Sequence, residues 1–147
     1  MDWSSTALGP IETWPVQLQH MTSLMLADSR PVVLLWGPSY VILYNESYVA
    51  VAGPRHPQML GSRGEDSGLE TWRWALAEIE KTRLARRAIS EGQYGLIRER
   101  YGDPEETTYR WTIVPIMANL HDISGYYIPI VRFLNRIPAY TSKECLA

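Results

Sequence analysis

The sequence predicts a single α+β domain built on a five-stranded antiparallel sheet. Its 147 residues, 46% apolar and 20% charged, suit one globular domain of about 100–200 residues. Short β-rich runs bounded by turn residues lie on both sides of the longest stretch of helical periodicity, an order typical of antiparallel α+β folds. We expect an N-terminal arm and flanking helix in residues 1–31, a core in 32–136 and a tail in 137–147.

Two apolar stripes with helical spacing predict the main helices. Pro15 suits a first helical turn, and the amphipathic stripe that follows predicts a helix over about 15–27; its members are Trp14, Leu18, Met21 and Met25. Ser67 and Glu70 have the spacing of a capping box and open a longer helix over about 69–90. The stripe of this second helix consists of Leu69, Trp72, Leu76 and Ile79.

Five β-rich runs predict the strands. Val32–Trp36 and Tyr40–Tyr44 are separated by the turn residues Gly37 and Pro38, which indicates a hairpin. Three further strands follow the long helix, with the ranges Gln93–Tyr101, Glu106–Met117 and Tyr126–Leu134. With the helices grouped between the second and third strands, we expect the core helices on one face of the sheet.

Composition excludes several classes of function. A net charge of −2 without a basic face argues against nucleic-acid binding. The longest apolar run, Val32–Trp36, is far shorter than the roughly 20 residues of a membrane helix, so no membrane insertion is expected. The single cysteine, Cys145, and the lack of a signal-peptide pattern indicate a cytoplasmic protein.

Motifs for catalysis and metal binding are absent from the sequence. It contains no G-x-S-x-G elbow, C-x-x-C pair, H-E-x-x-H or phosphate-binding loop. The three histidines are assigned to a helix, a turn and a loop; they are His20, His56 and His121. We therefore expect no catalytic residues and no metal, and we interpret His56 as a hydrogen-bond partner within its glycine-rich turn.

Five sequence motifs, in order, are similar to a PAS-domain subfamily found in bacterial and fungal sensor histidine kinases. They read DWSSTALGPIETWP (2–15), WGPSYVILYNESY (36–48), GPRHPQMLG (53–61), PEETTYRWTIVPI (104–116) and SGYYIPI (124–130). The resemblance implies a PAS fold and a non-catalytic sensory input domain of a two-component signalling protein. The chain departs from the pattern after Pro129, where the family continues into a Glu-Thr-Thr-rich exit. It also has no kinase motifs, so a parent kinase is implied by the resemblance alone.

The resemblance also implies the site. In the PAS fold the sheet and the long helix enclose a small apolar pocket, whose candidate walls are Leu35, Leu43, Tyr48, Met59, Trp72, Leu76, Tyr109, Trp111 and Ile128. The same side chains could instead simply close the core. No cysteine lies in 53–68 and no histidine in 69–90, so neither cysteine-adduct flavin nor histidine-held haem is expected; the cofactor remains unknown.

The flanking helix is the candidate for homodimerisation, through Trp14, Leu18, Met21 and Met25, although the same stripe could pack on its own sheet. Two other functions stay open. One is a small cone-shaped α+β enzyme, an isomerase or hydratase, which needs an acid/base pair inside the pocket. The other is a dimerisation module without a pocket. The signal, the output domain and the native C-terminus are not specified by these patterns.

Overall fold

The computed structural model describes the backbone of residues 1–100 and 103–134, and the side chains of 1–88 and 109–131. Its helices are α1 (Val16–Ala27), α2 (Glu46–Ala52) and α3 (Trp72–Ala85). Its strands are β1 (Val32–Trp36), β2 (Val41–Tyr44), β3 (Ile89–Arg100), β4 (Asp103–Met117) and β5 (Ile123–Leu134). Short 3₁₀ turns cover Trp3–Ser5, Ile11–Thr13, Gly53–Arg55 and Gly64–Asp66.

The strands form one antiparallel sheet in the order β2-β1-β5-β4-β3. Leu35 of β1 pairs with Ile42 of β2 on one side and with Tyr126 of β5 on the other. The chain therefore crosses from β2 at one edge to β3 at the far edge, and α2 and α3 lie in that crossing. The antiparallel α+β class that the sequence predicts is confirmed.

Helix α3 is shorter than the predicted range of 69–90 at both ends. The Ser67 hydroxyl donates to the Gly64 carbonyl and accepts from the Leu69 N–H, so it completes a turn instead of capping the helix. At the other end Arg86 adopts a left-handed conformation (φ 54°, ψ 30°), and its N–H donates to the Thr82 carbonyl. This residue ends the helix, and β3 begins three residues later.

Both faces of the sheet are covered in the β1–β2 region. Helices α2 and α3 lie on what we call the inner face, which carries Val33, Leu35, Ile42 and Tyr44. Helix α1 packs on the opposite, outer face against Val32, Leu34 and Leu43. The predicted tail (137–147), with Cys145, lies outside the described residues. Within the described chain, no helix is long and apolar enough to span a membrane.

A buried asparagine joins the two layers. The Asn45 side-chain oxygen accepts from the N–H groups of Val32 (3.0 Å) and Tyr48 (3.2 Å), so it ties the start of β1 to the first turn of α2. Its amide group donates to carbonyls at and after the end of α1, those of Met25, Asp28 and Arg30. One residue thus connects α1, β1 and α2.

Candidate ligand cavity

The position of α3 depends on a glycine that lets an indole ring come close. A Cβ at Gly64 would lie 2.1 Å from the nearest ring carbon of Trp72, so only glycine leaves room for the ring in this position. Trp72 also contacts Tyr40 edge-on, with ring centroids 5.8 Å apart. The first turn of α3 is therefore held over the inner face by the loop before it.

An inner chamber of about 110 Å³ lies between α3 and the inner face. It is lined almost entirely by apolar side chains, with Tyr48 and Thr71 as the polar exceptions. The apolar lining is supplied by Val33, Leu35, Ile42, Met59, Leu69, Trp72, Trp74, Ala75, Ile79, Trp111, Ile113, Ile128 and Ile130. Such a wall selects for shape and apolar character.

An outer chamber of about 130 Å³ adjoins the inner one and is more polar. It brings together Arg55 from the turn after α2, Glu70 and Thr71 from the approach to α3, and Tyr109 from β4. Trp111 lines both chambers and contacts Trp74 at a ring-centroid distance of 4.5 Å. Two indoles from α3 and β4 thus border the cavity.

Six of the nine predicted pocket residues line the inner chamber: Leu35, Tyr48, Met59, Trp72, Trp111 and Ile128. Tyr109 lines the outer chamber. The predictions for Leu43 and Leu76 are wrong. Leu43 faces outward under α1, because successive side chains of β2 alternate and the inner positions belong to Ile42 and Tyr44. Leu76 is 36% exposed, because Ala75 and Ile79 occupy the inward side of α3.

Several cavity residues were not identified from the sequence, among them Val33, Ile42, Trp74, Ile113 and Ile130. The alternation of side chains along a strand could have identified two of them. Ile130 on β5 lies two residues from the predicted Ile128, and Val33 on β1 lies two residues from the predicted Leu35, so each shares the face of its predicted neighbour. Arg55 and Glu70 carried no such signal. They lie 15 residues apart in the chain and meet only because the turn folds back to α3.

The predicted dimerisation stripe packs on the outer face of the sheet within the chain. Leu18 and Met25 are almost fully buried there and Trp14 is buried beside Trp3, while Met21 is half-buried. A dimer formed through this stripe would have to detach α1. The solvent-exposed surface of the helix carries Val16, Leu24 and Leu26.

His56 lies in the turn after α2, away from the cavity lining. A 2.7 Å hydrogen bond joins its Nδ1 to the Tyr44 hydroxyl, and the two rings are in contact. Burial raises the pKa of Tyr44. His56 thus makes the structural hydrogen bond expected for it.

Two further observations narrow the search for a site. Among residues with described side chains, no group of three His, Cys, Asp or Glu could hold a metal ion. An open cleft of about 730 Å³ lies at the other end of α3, between Arg86 and the His121–Ser124 loop. It carries two arginines, of which Arg83 is paired with Glu80, and its wall is more polar than that of the inner chamber. The apolar cavity is therefore the better candidate.

Solved structures of PAS domains share this fold. The chain matches the PAS domain of Bordetella pertussis BvgS with a TM-score of 0.57 and 17% identity, over 90% of this chain and 97% of that one. A sensory box sensor histidine kinase from Vibrio cholerae matches with a TM-score of 0.52 and 14% identity, over 81% and 93% of the two chains. The Rhodobacter sphaeroides LOV protein matches with a TM-score of 0.53 and 15% identity, over 87% of this chain and 72% of that one.

No protein-family model and no curated protein matches the sequence. At the identities of the solved structures, the likeness establishes the fold alone. The PAS fold that the motifs predict is therefore confirmed, whereas the particular subfamily rests on the motifs.

Proposed function

We propose that this chain is a non-catalytic sensory input domain of a signalling protein, such as a sensor histidine kinase, and that it binds a small apolar ligand between α3 and the sheet. The observation that carries the proposal is the inner chamber, unfilled space with an almost wholly apolar wall. The PAS fold, shared with a sensor histidine kinase structure, supports the signalling context.

The signal would travel as a shift between two arrangements of the helices. A ligand in the inner chamber contacts Tyr48, in the first turn of α2. That turn is capped by Asn45, whose amide also binds the last carbonyls of α1. Movement of α2 on ligand binding would therefore change the hydrogen bonds at the end of α1, and a ligand that prefers one arrangement shifts the population towards it.

The enzyme alternative finds little support in this cavity. An isomerase or hydratase requires an acid and a base facing each other within reach of the substrate. Among the described lining residues the ionisable groups other than tyrosine are Arg55 and Glu70, and Glu70 is exposed to solvent. His20 and His121 are exposed on α1 and in the β4–β5 loop.

Filling the chamber tests ligand binding directly. Ala75→Leu adds three carbons on the side of α3 that lines the chamber, whereas Ala77→Leu adds the same carbons at an exposed position of the same helix. Benzene titrated into the wild type should shift the methyl NMR signals of Ile113 and Ile128. The shifts should persist in Ala77→Leu and disappear in Ala75→Leu. Benzene shifts that survive in Ala75→Leu, or that never occur in the wild type, contradict the proposal.

We further propose homodimerisation through the solvent-exposed surface of α1, the second role that the sequence suggests. The supporting observation is the exposure of two leucines there, Leu24 at 53% and Leu26 at 65%. The double variant Leu24→Glu/Leu26→Glu should convert a dimer to monomer in light scattering, whereas Leu84→Glu, at an exposed leucine of α3, should not. A wild type that stays monomeric at high concentration excludes this role.

A further inference from the structure

The candidate cavity consists of two adjoining chambers with different walls. They share five lining residues, Tyr48, Leu69, Thr71, Trp111 and Ile130, so a molecule that passes between these side chains would occupy both chambers. The inner chamber offers apolar contact almost everywhere. The outer chamber adds a guanidinium, a carboxylate and a phenol from Arg55, Glu70 and Tyr109. The cavity is therefore amphipathic along its length.

The volume limits the apolar part of the ligand. A cavity of roughly 150 Å³ lined by aliphatic and aromatic side chains holds a benzene molecule, and pockets for drug-sized ligands run from roughly 300 to 1,000 Å³. The inner chamber has about 110 Å³. It is smaller than the benzene-binding cavity, so it suits a short branched chain or a single ring that also reaches into the outer chamber, and a multi-ring cofactor would exceed it.

The charge distribution selects the polar part. Arg55 is half-buried, and its Nε donates to the Gly68 carbonyl at 3.2 Å, which orients the guanidinium. Among residues with described side chains, no carboxylate lies within 4 Å of the Arg55 nitrogens. Glu70 is exposed, so water solvates its charge. A guanidinium with free terminal N–H groups matches a carboxylate in both charge and geometry.

We infer that the cavity binds a small monocarboxylate with a single ring or a short branched apolar body. This inference rests on the proposed ligand-binding function and adds the chemical class of the ligand. The apolar body occupies the inner chamber beside Trp111, and the carboxylate accepts hydrogen bonds from Arg55 in the outer chamber. The Tyr109 phenol, from β4, also lines the outer chamber and supplies a second donor.

Three probes of one shape and different charge test the inference: benzoate, benzamide and benzamidine. Their dissociation constants would be measured by methyl NMR titration of the purified chain, followed at Ile113 and Ile128. Benzoate should bind about tenfold more tightly than neutral benzamide, because it makes a charge-assisted hydrogen bond in a half-buried setting. Cationic benzamidine should bind most weakly.

Variants of Arg55 test whether this arginine causes the preference for benzoate over benzamide. Arg55→Gln should make benzoate and benzamide bind equally, and Arg55→Lys should retain part of the preference because it keeps the positive charge. Arg63→Gln, which removes an exposed arginine outside the cavity lining, and Glu70→Gln should both leave benzoate the stronger ligand.

The outcomes separate the two proposals. Equal binding of benzoate and benzamide by the wild type, tighter binding of benzamidine, or a benzoate preference that survives Arg55→Gln would each overturn the carboxylate assignment and leave the ligand-binding function standing. Failure of all three probes to bind would overturn the carboxylate assignment if benzene still binds, and both proposals if benzene does not bind either.

Discussion

On the outer face of the sheet, Leu18, Leu34 and Leu43 are almost completely buried between α1 and the strands. On the inner face, Leu35 and Ile42 are equally shielded from water but border an unfilled chamber. The two faces thus share one set of strands and differ in what fills the space above them. In the outer layer Leu34 and Leu43 border none of the described cavities, although a cleft of about 290 Å³ reaches Leu18 on α1. In the inner layer the indoles and branched side chains leave a chamber against the sheet.

This difference indicates a division of roles. Protein interiors normally pack to the density of organic crystals, so a void forfeits contacts that its lining atoms would otherwise make. The part of the outer layer at Leu34 and Leu43, which borders none of the described cavities, supports the fold. An inner layer that tolerates one keeps room for a ligand, and the stability of the whole domain therefore rests more on the outer layer.

The sharpest test of this contrast uses two adjacent leucines of β1. Leu34, 0% exposed, faces the outer layer, and Leu35, 2% exposed, faces the chamber. Leu34→Ala should lower the free energy of unfolding by about 4 kcal/mol, because it opens a cavity in a filled layer. Leu35→Ala should cost about 2 kcal/mol, because one side of that leucine already lacks partner atoms. Equal losses in urea unfolding would contradict the contrast.

The second prediction concerns the residue that joins the layers. Asn45→Asp retains the oxygen that accepts from Val32 and Tyr48 but replaces the donating amide with a second acceptor facing three carbonyls. We expect Asn45→Asp to lower the free energy of unfolding by about 3 kcal/mol, because the new carboxylate is a buried charge that faces carbonyls without a donor.

The matched control for this change is Asn119→Asp in the β4–β5 loop. The Asn119 amide donates to the exposed Asp122 carboxylate, so the change should cost less than about 1 kcal/mol in the same unfolding measurement. If Asn45→Asp is as mild as the loop variant, Asn45 does not couple α1 to the inner helices.

Part of this arrangement follows from local sequence patterns. Helix α1, the hairpin β1–β2 and six of the fifteen residues that line the inner chamber lie where the sequence patterns and motifs predict them. The faces of β1 and β2 could not be assigned in this way. Both strands are buried on both sides and read as continuous apolar runs, so alternation gives no contrast between Ile42 and Leu43.

The remaining errors arise where tertiary contacts override local signals. Ser67 has capping-box spacing, but its hydroxyl is used in the turn that lets Trp72 pack on Gly64. The chain then leaves the helix at Arg86, a residue without the conformational freedom of glycine, so no sequence signal marks the end. Arg55 joins the cavity from the Gly53–Arg55 turn, far in the sequence from Glu70 and Tyr109, which line the same chamber.

The smallest expected change in stability concerns two adjacent tyrosines of β5, one on each face of the sheet. Burial raises the pKa of Tyr126, on the inner face, to about 12; it does the same for Tyr127, on the outer face, whose hydroxyl donates to the Asp28 carboxylate at 3.0 Å. An unfolded tyrosine loses its proton near pH 10. The stabilisation is therefore complete below about pH 10 and is lost as pH rises through about 12.

Replacing each tyrosine by phenylalanine tests whether the two faces differ in their dependence on polar contacts. Tyr126→Phe and Tyr127→Phe should each reduce the alkaline loss of stability, because each removes one titrating group. Only Tyr127→Phe should also cost about 1 kcal/mol near neutral pH, because it leaves Asp28 without the Tyr127 hydrogen bond, whereas no hydrogen bond to the Tyr126 hydroxyl comes from the described residues. Urea unfolding at about pH 7 and about pH 11 measures both effects. A neutral-pH cost as large for Tyr126→Phe would mean that the inner face depends on polar contacts as much as the outer face does.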